Sequence, residues 1–142
     1  MSINSRVERS HLHLIQVLSS LITQSDKTYL VGGLVRDTLS GRIPRDLDIA
    51  VSGDASTIAR SITKALDGKF VVMDEMRNYF RVVLPEQSRL DTIRTIDVSA
   101  LCGDIFEDLA RRDFTIDAMA VSLYNYLSEN WRESIIDPCN GL

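Results

Sequence analysis

The chain lacks what would send it to a membrane, an oxidising compartment or a structural zinc site. Its 142 residues hold only two cysteines, Cys102 and Cys139, which match no metal-ligand spacing and need not pair. No apolar run approaches the roughly 18 residues of a membrane span. Residues 1–10 are polar and carry no apolar core of a secretory signal. Repeats, low-complexity tracts and Pro/Gly/Ser linkers are missing too. The length then fits one domain able to bury a sizeable core. An excess of positive charge is also lacking: 16 Lys and Arg against 20 Asp and Glu leave a net charge of −4. A broad, sequence-independent grip on nucleic acid needs clustered cations. The cations cluster only locally, at Arg36, Arg42 and Arg45 and at Arg111 and Arg112. With 44% apolar and 25% charged residues, the expectation is an ordinary globular domain in the cytoplasm, with no membrane partner.

What is present reads as alternating helices and strands. Val7, His11, Leu14, Ile15, Leu18, Leu21 and Ile22 fall at helical spacing over 6–23, with His11 on the packed stripe and His13 outside it. A short strand is expected at 28–31 and a short helix at 34–40. The loop 41–45 leads into a strand at 46–51. Asp54 or Ser52 caps a helix that carries Ile58, Ile62, Ala65 and Leu66 on one face and stops at Gly68. Runs 69–73, 79–84 and 92–99 are rich in β-branched and aromatic residues and read as strands. Asp104 and Glu107 form a capping box for a helix through Ala110, and another helix is expected from Thr115. Residues 133–138 read as a final strand and turn. This order predicts an α+β or α/β domain, a mixed sheet backed by helices.

The chemistry concentrates in the segment Asp46-Leu47-Asp48-Ile49-Ala50-Val51. Strand residues two apart share a face, so Asp46 and Asp48 leave one side while Leu47, Ile49 and Val51 enter the core. Two carboxylates this close repel each other unless a cation lies between them, and hard oxygen ligands suit Mg²⁺. Upstream, Tyr29-Leu30-Val31-Gly32-Gly33-Leu34-Val35-Arg36-Asp37 reads as a strand, a glycine turn and a helix start. Such a turn offers N–H groups and a positive dipole end to an anion. Taken singly, the acidic pair could be a solvated strand edge and the glycines merely a turn. In this order and at this separation they point to phosphoryl or nucleotidyl transfer.

Two further groups stand near this chemistry. Thr95, Asp97 and Ser99 share a strand face opposite Ile96 and Val98. Asp97, mid-strand, must be paired or bound to something. It either completes a two-metal site with Asp46 and Asp48 or pairs with a nearby arginine. In Arg111-Arg112-Asp113-Phe114-Thr115-Ile116 the guanidinium forks match phosphate oxygens, and Asp113 can accept from a ribose hydroxyl. The same run could equally be a solvated helix junction.

The blocks Leu30-Val31-Gly32-Gly33-Leu34-Val35-Arg36-Asp37, Asp46-Leu47-Asp48-Ile49, Arg111-Arg112-Asp113-Phe114-Thr115-Ile116 and Ile136-Asp137-Pro138-Cys139-Asn140-Gly141-Leu142 occur in one order. Together they resemble the class II tRNA nucleotidyltransferases, the CCA-adding and A-adding enzymes and bacterial poly(A) polymerases of the polymerase β superfamily. The resemblance covers about residues 28–142. It implies a nucleotidyltransferase head with a polymerase β-like palm fold. It further implies template-independent transfer of nucleotides from CTP or ATP to an RNA 3′ end, tRNA above all. By the same resemblance Asp46, Asp48 and Asp97 are the catalytic and metal-binding carboxylates, with Mg²⁺ as cofactor. Gly32, Gly33, Arg36, Arg111, Arg112 and Asp113 are the nucleotide-binding residues.

Three departures from the family pattern stand out. Asp117 stands where the family usually has Asn. Ala100-Leu101-Cys102 carries no arginine where one usually follows the third-carboxylate strand. The base-selecting E-D-x-x-R motif belongs on a neck domain beyond residue 142. Glu107-Asp108-Leu109-Ala110-Arg111 spells that motif upstream of the R-R-D block and reads as an acidic helix start. Residues 1–142 are therefore expected to be a head domain from a longer protein, without the neck, body and tail that grip tRNA, and weakly active or inactive alone. Two other functions fit the same residues: a catalytically silent nucleotide-binding module, and a transferase acting on a small molecule.

Overall fold

The computed structural model describes residues 11–22, 27–86, 92–111 and 118–138. Six strands form one sheet: β1 (Thr28–Val31), β2 (Asp46–Val51), β3 (Lys69–Asp74), β4 (Tyr79–Val83), β5 (Thr95–Ala100) and β6 (Ala120–Ser122). Their spatial order is β3-β4-β5-β2-β1-β6. The central β2–β5 pair is parallel and every other pair antiparallel, so the sheet is mixed. Among the described residues five helices accompany it: α1 (Leu12–Leu21), α2 (Gly33–Leu39), α3 (Ala55–Leu66), α4 (Ile105–Ala110) and α5 (Leu123–Tyr126). A short 3₁₀ turn spans Trp131–Ser134. The architecture is the expected α+β mixed sheet with helices.

Alternation along the strands divides the sheet into two unlike faces. Leu30, Leu47, Ile49, Val51, Phe80, Val82, Ile96 and Val98 point to one side. There they join Leu14, Ile15 and Leu18 of α1, Leu34 and Val35 of α2, and Ala55, Ile58, Ala59 and Ile62 of α3 in the main core. His11 is buried at the edge of this core, where its ring is hydrogen-bonded and stacked against Tyr126, and His13 is exposed. A smaller cluster on the other face packs Ile105 and Leu109 of α4 onto Val31, Ala50 and Ala120. The rest of that second face carries the polar groups.

Local signals explain the element boundaries. Asp54 caps α3 by accepting from the Ser56 and Thr57 amides at 3.0 and 3.3 Å. The helix stops where Asp67 turns left-handed at φ 55°. Gly68 follows because a β-carbon there would lie 2.9 Å from the Val83 carbonyl oxygen. Asp104 caps α4 through the Glu107 amide at 2.8 Å, as the capping box predicts.

Other expectations need correction. The run 92–99 becomes a strand only from Thr95, although the Arg94 amide already bonds the Arg45 carbonyl and its own carbonyl accepts from the Leu84 amide. Residues 133–138 are not a strand. Glu133 lies in the 3₁₀ turn, and only Ile136 makes a bridge, to Ala120. The helix expected from Thr115 falls outside the described residues. No helix among the described residues is long and apolar enough to cross a membrane.

Candidate active site

The polar face is organised by register. In the parallel β2–β5 ladder Asp48 stands opposite Asp97 and Asp46 opposite Thr95. Across the antiparallel β4–β5 ladder Arg81 stands opposite Asp97 and Tyr79 opposite Ser99. Directly paired residues share a face, and neighbouring strands lie about 4.8 Å apart. Arg81, Asp97 and Asp48 therefore form one row across three strands. Asp46 is exposed and Asp48 only half-buried, while Leu47 and Ile49 between and beside them are fully buried. The Thr95 hydroxyl donates to Asp46 Oδ1 at 2.7 Å.

The glycine turn closes the same edge. Leu30 pairs with Ile49, so the end of β1 runs out beside the start of β2. Gly32 takes φ 69°, ψ −129° and caps α2, a conformation that favours glycine. Its amide bonds the Met119 carbonyl at 3.1 Å. Gly32 thus shapes the turn, while the first-turn amides that a helix leaves without an intrahelical partner are those of Gly33, Leu34 and Val35. Arg36 folds back over this turn. Its Nη2 would stand 3.2 Å from a β-carbon on Gly33, and its Nε donates to Asp37 at 3.3 Å.

Asp97 occupies the most constrained position. Arg81 grips it with two parallel bonds, Nε to Oδ1 at 2.7 Å and Nη2 to Oδ2 at 3.1 Å. The Tyr79 hydroxyl donates to Oδ2 at 2.8 Å. Of the two readings left open for Asp97, the paired one describes its geometry, and its side chain keeps 15% of its exposure. Among the described residues no three His, Cys, Asp or Glu side chains gather closely enough to hold a metal ion. Arg81 and Tyr79 were not singled out from the sequence, although alternation over 79–83 puts both on one face.

Arg111 follows α4 and turns its guanidinium to the Cys102 sulfur just past β5. That end of β5 lies beside Val51, so Arg111 stands at the end of the strand pair away from Asp46. Arg112, Asp113 and Asp117 lie outside the described residues.

Burial first, then the Asp97 carboxylate, push the Tyr79 phenol from its ordinary value of 10.0 up to about 12. A pKa raised on folding stabilises the fold fully below pH 10 and loses that contribution as pH rises through 12. The melting temperature of the wild type relative to Tyr79→Phe is expected to fall between those limits. A difference that stays constant across that range would contradict the assignment.

A sheet with a carboxylate pair beside a glycine turn that opens a helix is the frame of a nucleotidyltransferase. The family described as Poly A polymerase head domain matches residues 28–142, and the chain belongs to that family. Its relatives include the CC-adding tRNA nucleotidyltransferase of Geobacter sulfurreducens. That protein is 36% identical over 114 residues, covering 80% of this chain and 24% of the relative. The Thermotoga maritima CCA-adding enzyme complexed with tRNA superposes with a TM-score of 0.73 at 30% identity, covering 96% of this chain and 32% of that one. A CCA-adding enzyme in complex with ATP gives 0.70 at 33% identity, over 92% and 30%. The chain thus spans about a quarter to a third of the proteins it matches. Enzymes of this class are generally metal-dependent.

Proposed function

We propose that this chain is the catalytic head of a longer, template-independent RNA nucleotidyltransferase. It transfers CMP or AMP from CTP or ATP to an RNA 3′ hydroxyl, that of tRNA first, and releases pyrophosphate. The observation that carries this reading is the shared face of Asp46 and Asp48 beside the Gly32–Gly33 turn. Relatives that add C or CCA to tRNA support it.

The donor set suits a divalent ion. Asp46 and Asp48 offer hard oxygens on one face, with Asp46 exposed so that water and phosphate can complete the shell. Asp46 and Asp48 would hold Mg²⁺, which would neutralise charge developing on the reacting phosphate. The remaining work is positioning and charge compensation rather than covalent catalysis. The amides of Gly33, Leu34 and Val35 donate to triphosphate oxygens, and Arg36 above them adds a charge-assisted contact. Asp37 braces that guanidinium. Arg112 and Asp113 complete the nucleotide contacts, Arg111 being held on Cys102 at the far end of β5, and Asp97 holds the face through Arg81. Base choice and the grip on tRNA belong to neck, body and tail segments beyond this head.

The test is Mg²⁺-dependent incorporation of labelled CTP and ATP into tRNA lacking its 3′ end, using the full-length protein. Extension supports the proposal. ATP binding without extension of any RNA would reject it in favour of a silent nucleotide-binding module.

A further inference from the structure

The Asp97 carboxylate has about four lone-pair positions. Arg81 Nε, Arg81 Nη2 and the Tyr79 hydroxyl take three of them, at 2.7, 3.1 and 2.8 Å. The Arg81 fork is bidentate, the strongest arrangement a carboxylate and a guanidinium adopt. It is also braced, because Arg81 Nη2 lies 3.4 Å from the same hydroxyl. The ladder fixes the trio: Arg81 opposes Asp97 on β4–β5, and Asp97 opposes Asp48 on β5–β2. A permanent positive charge therefore stands on the far side of Asp97 from the acidic pair of β2.

Two ions of a two-metal site stand about 3.5–4 Å apart and share bridging ligands. An ion bound through Asp97 would have to expel the guanidinium or sit against its charge. Expelling it breaks both bonds of the fork and the hydroxyl contact of a guanidinium whose side chain is 35% exposed. The absence of any three-ligand metal set among the described residues agrees with this.

We propose that Arg81 withholds Asp97 from metal, so that this head binds a single divalent ion on Asp46 and Asp48, with the guanidinium supplying the second positive charge. The inference rests on the nucleotidyltransferase reading above and adds the metal stoichiometry of the site. Arg81 and Tyr79 are then positioning residues: they act on the site through Asp97.

The test titrates Mn²⁺ alone into the full-length protein, with bound ion counted by electron paramagnetic resonance and the fold monitored by circular dichroism. The wild type is expected to bind one ion. Asp48→Asn is expected to weaken it about tenfold or more, whereas Asp97→Asn leaves it within about twofold. Arg81→Met, which frees Asp97, is expected to add a second ion. Equal losses in Asp97→Asn and Asp48→Asn, or two ions in the wild type, would overturn the inference while leaving the transferase reading intact. No Mn²⁺ binding at all by the wild type would overturn both. If Arg81→Met fails to fold, the comparison of Asp97→Asn with Asp48→Asn still decides.

Discussion

Replacing Asp46 and Asp48 together by asparagine is expected to cut nucleotide incorporation by the full-length protein about 10³-fold or more. The reason is electrostatic. On the proposed function the substrate triphosphate is strongly anionic, and the two carboxylates would retain a divalent cation opposite it. Asparagine keeps the shape and still accepts from the Thr95 hydroxyl that meets Asp46 at 2.7 Å. The fold has no reason to suffer, because Leu47, Ile49 and Val51 remain fully buried on the other side of β2. Removing two like charges from one strand face also relieves repulsion. Melting should therefore stay the same or rise slightly while activity collapses. Activity within tenfold of wild type would show that the chemistry lies elsewhere.

Gly32→Val should harm both fold and ligand binding. At φ 69°, ψ −129° a β-branched residue is forced into a region it almost never adopts, at a cost of about 3 kcal/mol. The strain cannot relax cheaply. The Gly32 amide is bonded to the Met119 carbonyl, and its own carbonyl accepts from the Arg36 amide at 3.3 Å. Any shift that eases the backbone moves α2, and with it the amides and Arg36 that the proposed function assigns to the phosphates. Denaturant unfolding should report the lost stability, and ATP titration should report weaker binding in the fraction that remains folded. Unchanged affinity alongside the stability loss would mean that the turn is structural only.

The boundaries of β1, β2, α3 and α4 were legible because each has a local cause: period-two alternation, an aspartate cap or a stop at Gly68. β6 was not. Ala120-Val121-Ser122 has no alternation long enough to read, and it becomes a strand only by pairing with Tyr29, Leu30 and Val31 far away in the chain. The same holds for α5, one turn long and set by a Ser122 cap. At the site, the shared face of Asp46 and Asp48 followed from their spacing. The neighbour that governs Asp97 did not. Its ambiguity was visible in the sequence, but choosing Arg81 required knowing that β4 pairs with β5 and in which register. Register across separate strands is a tertiary property that composition does not encode.

Along the polar side of β2 exposure declines in steps, from open Asp46 through half-covered Asp48 to sealed Ala50 under α4. The two acids consequently meet different solvents. Asp46 faces bulk water, which screens it and exchanges freely with whatever it binds. Asp48 sits where water is thinner and each charge is felt more strongly. If the pair holds a cation as proposed, the outer carboxylate would suit catching and releasing it with its water, and the inner one holding it still.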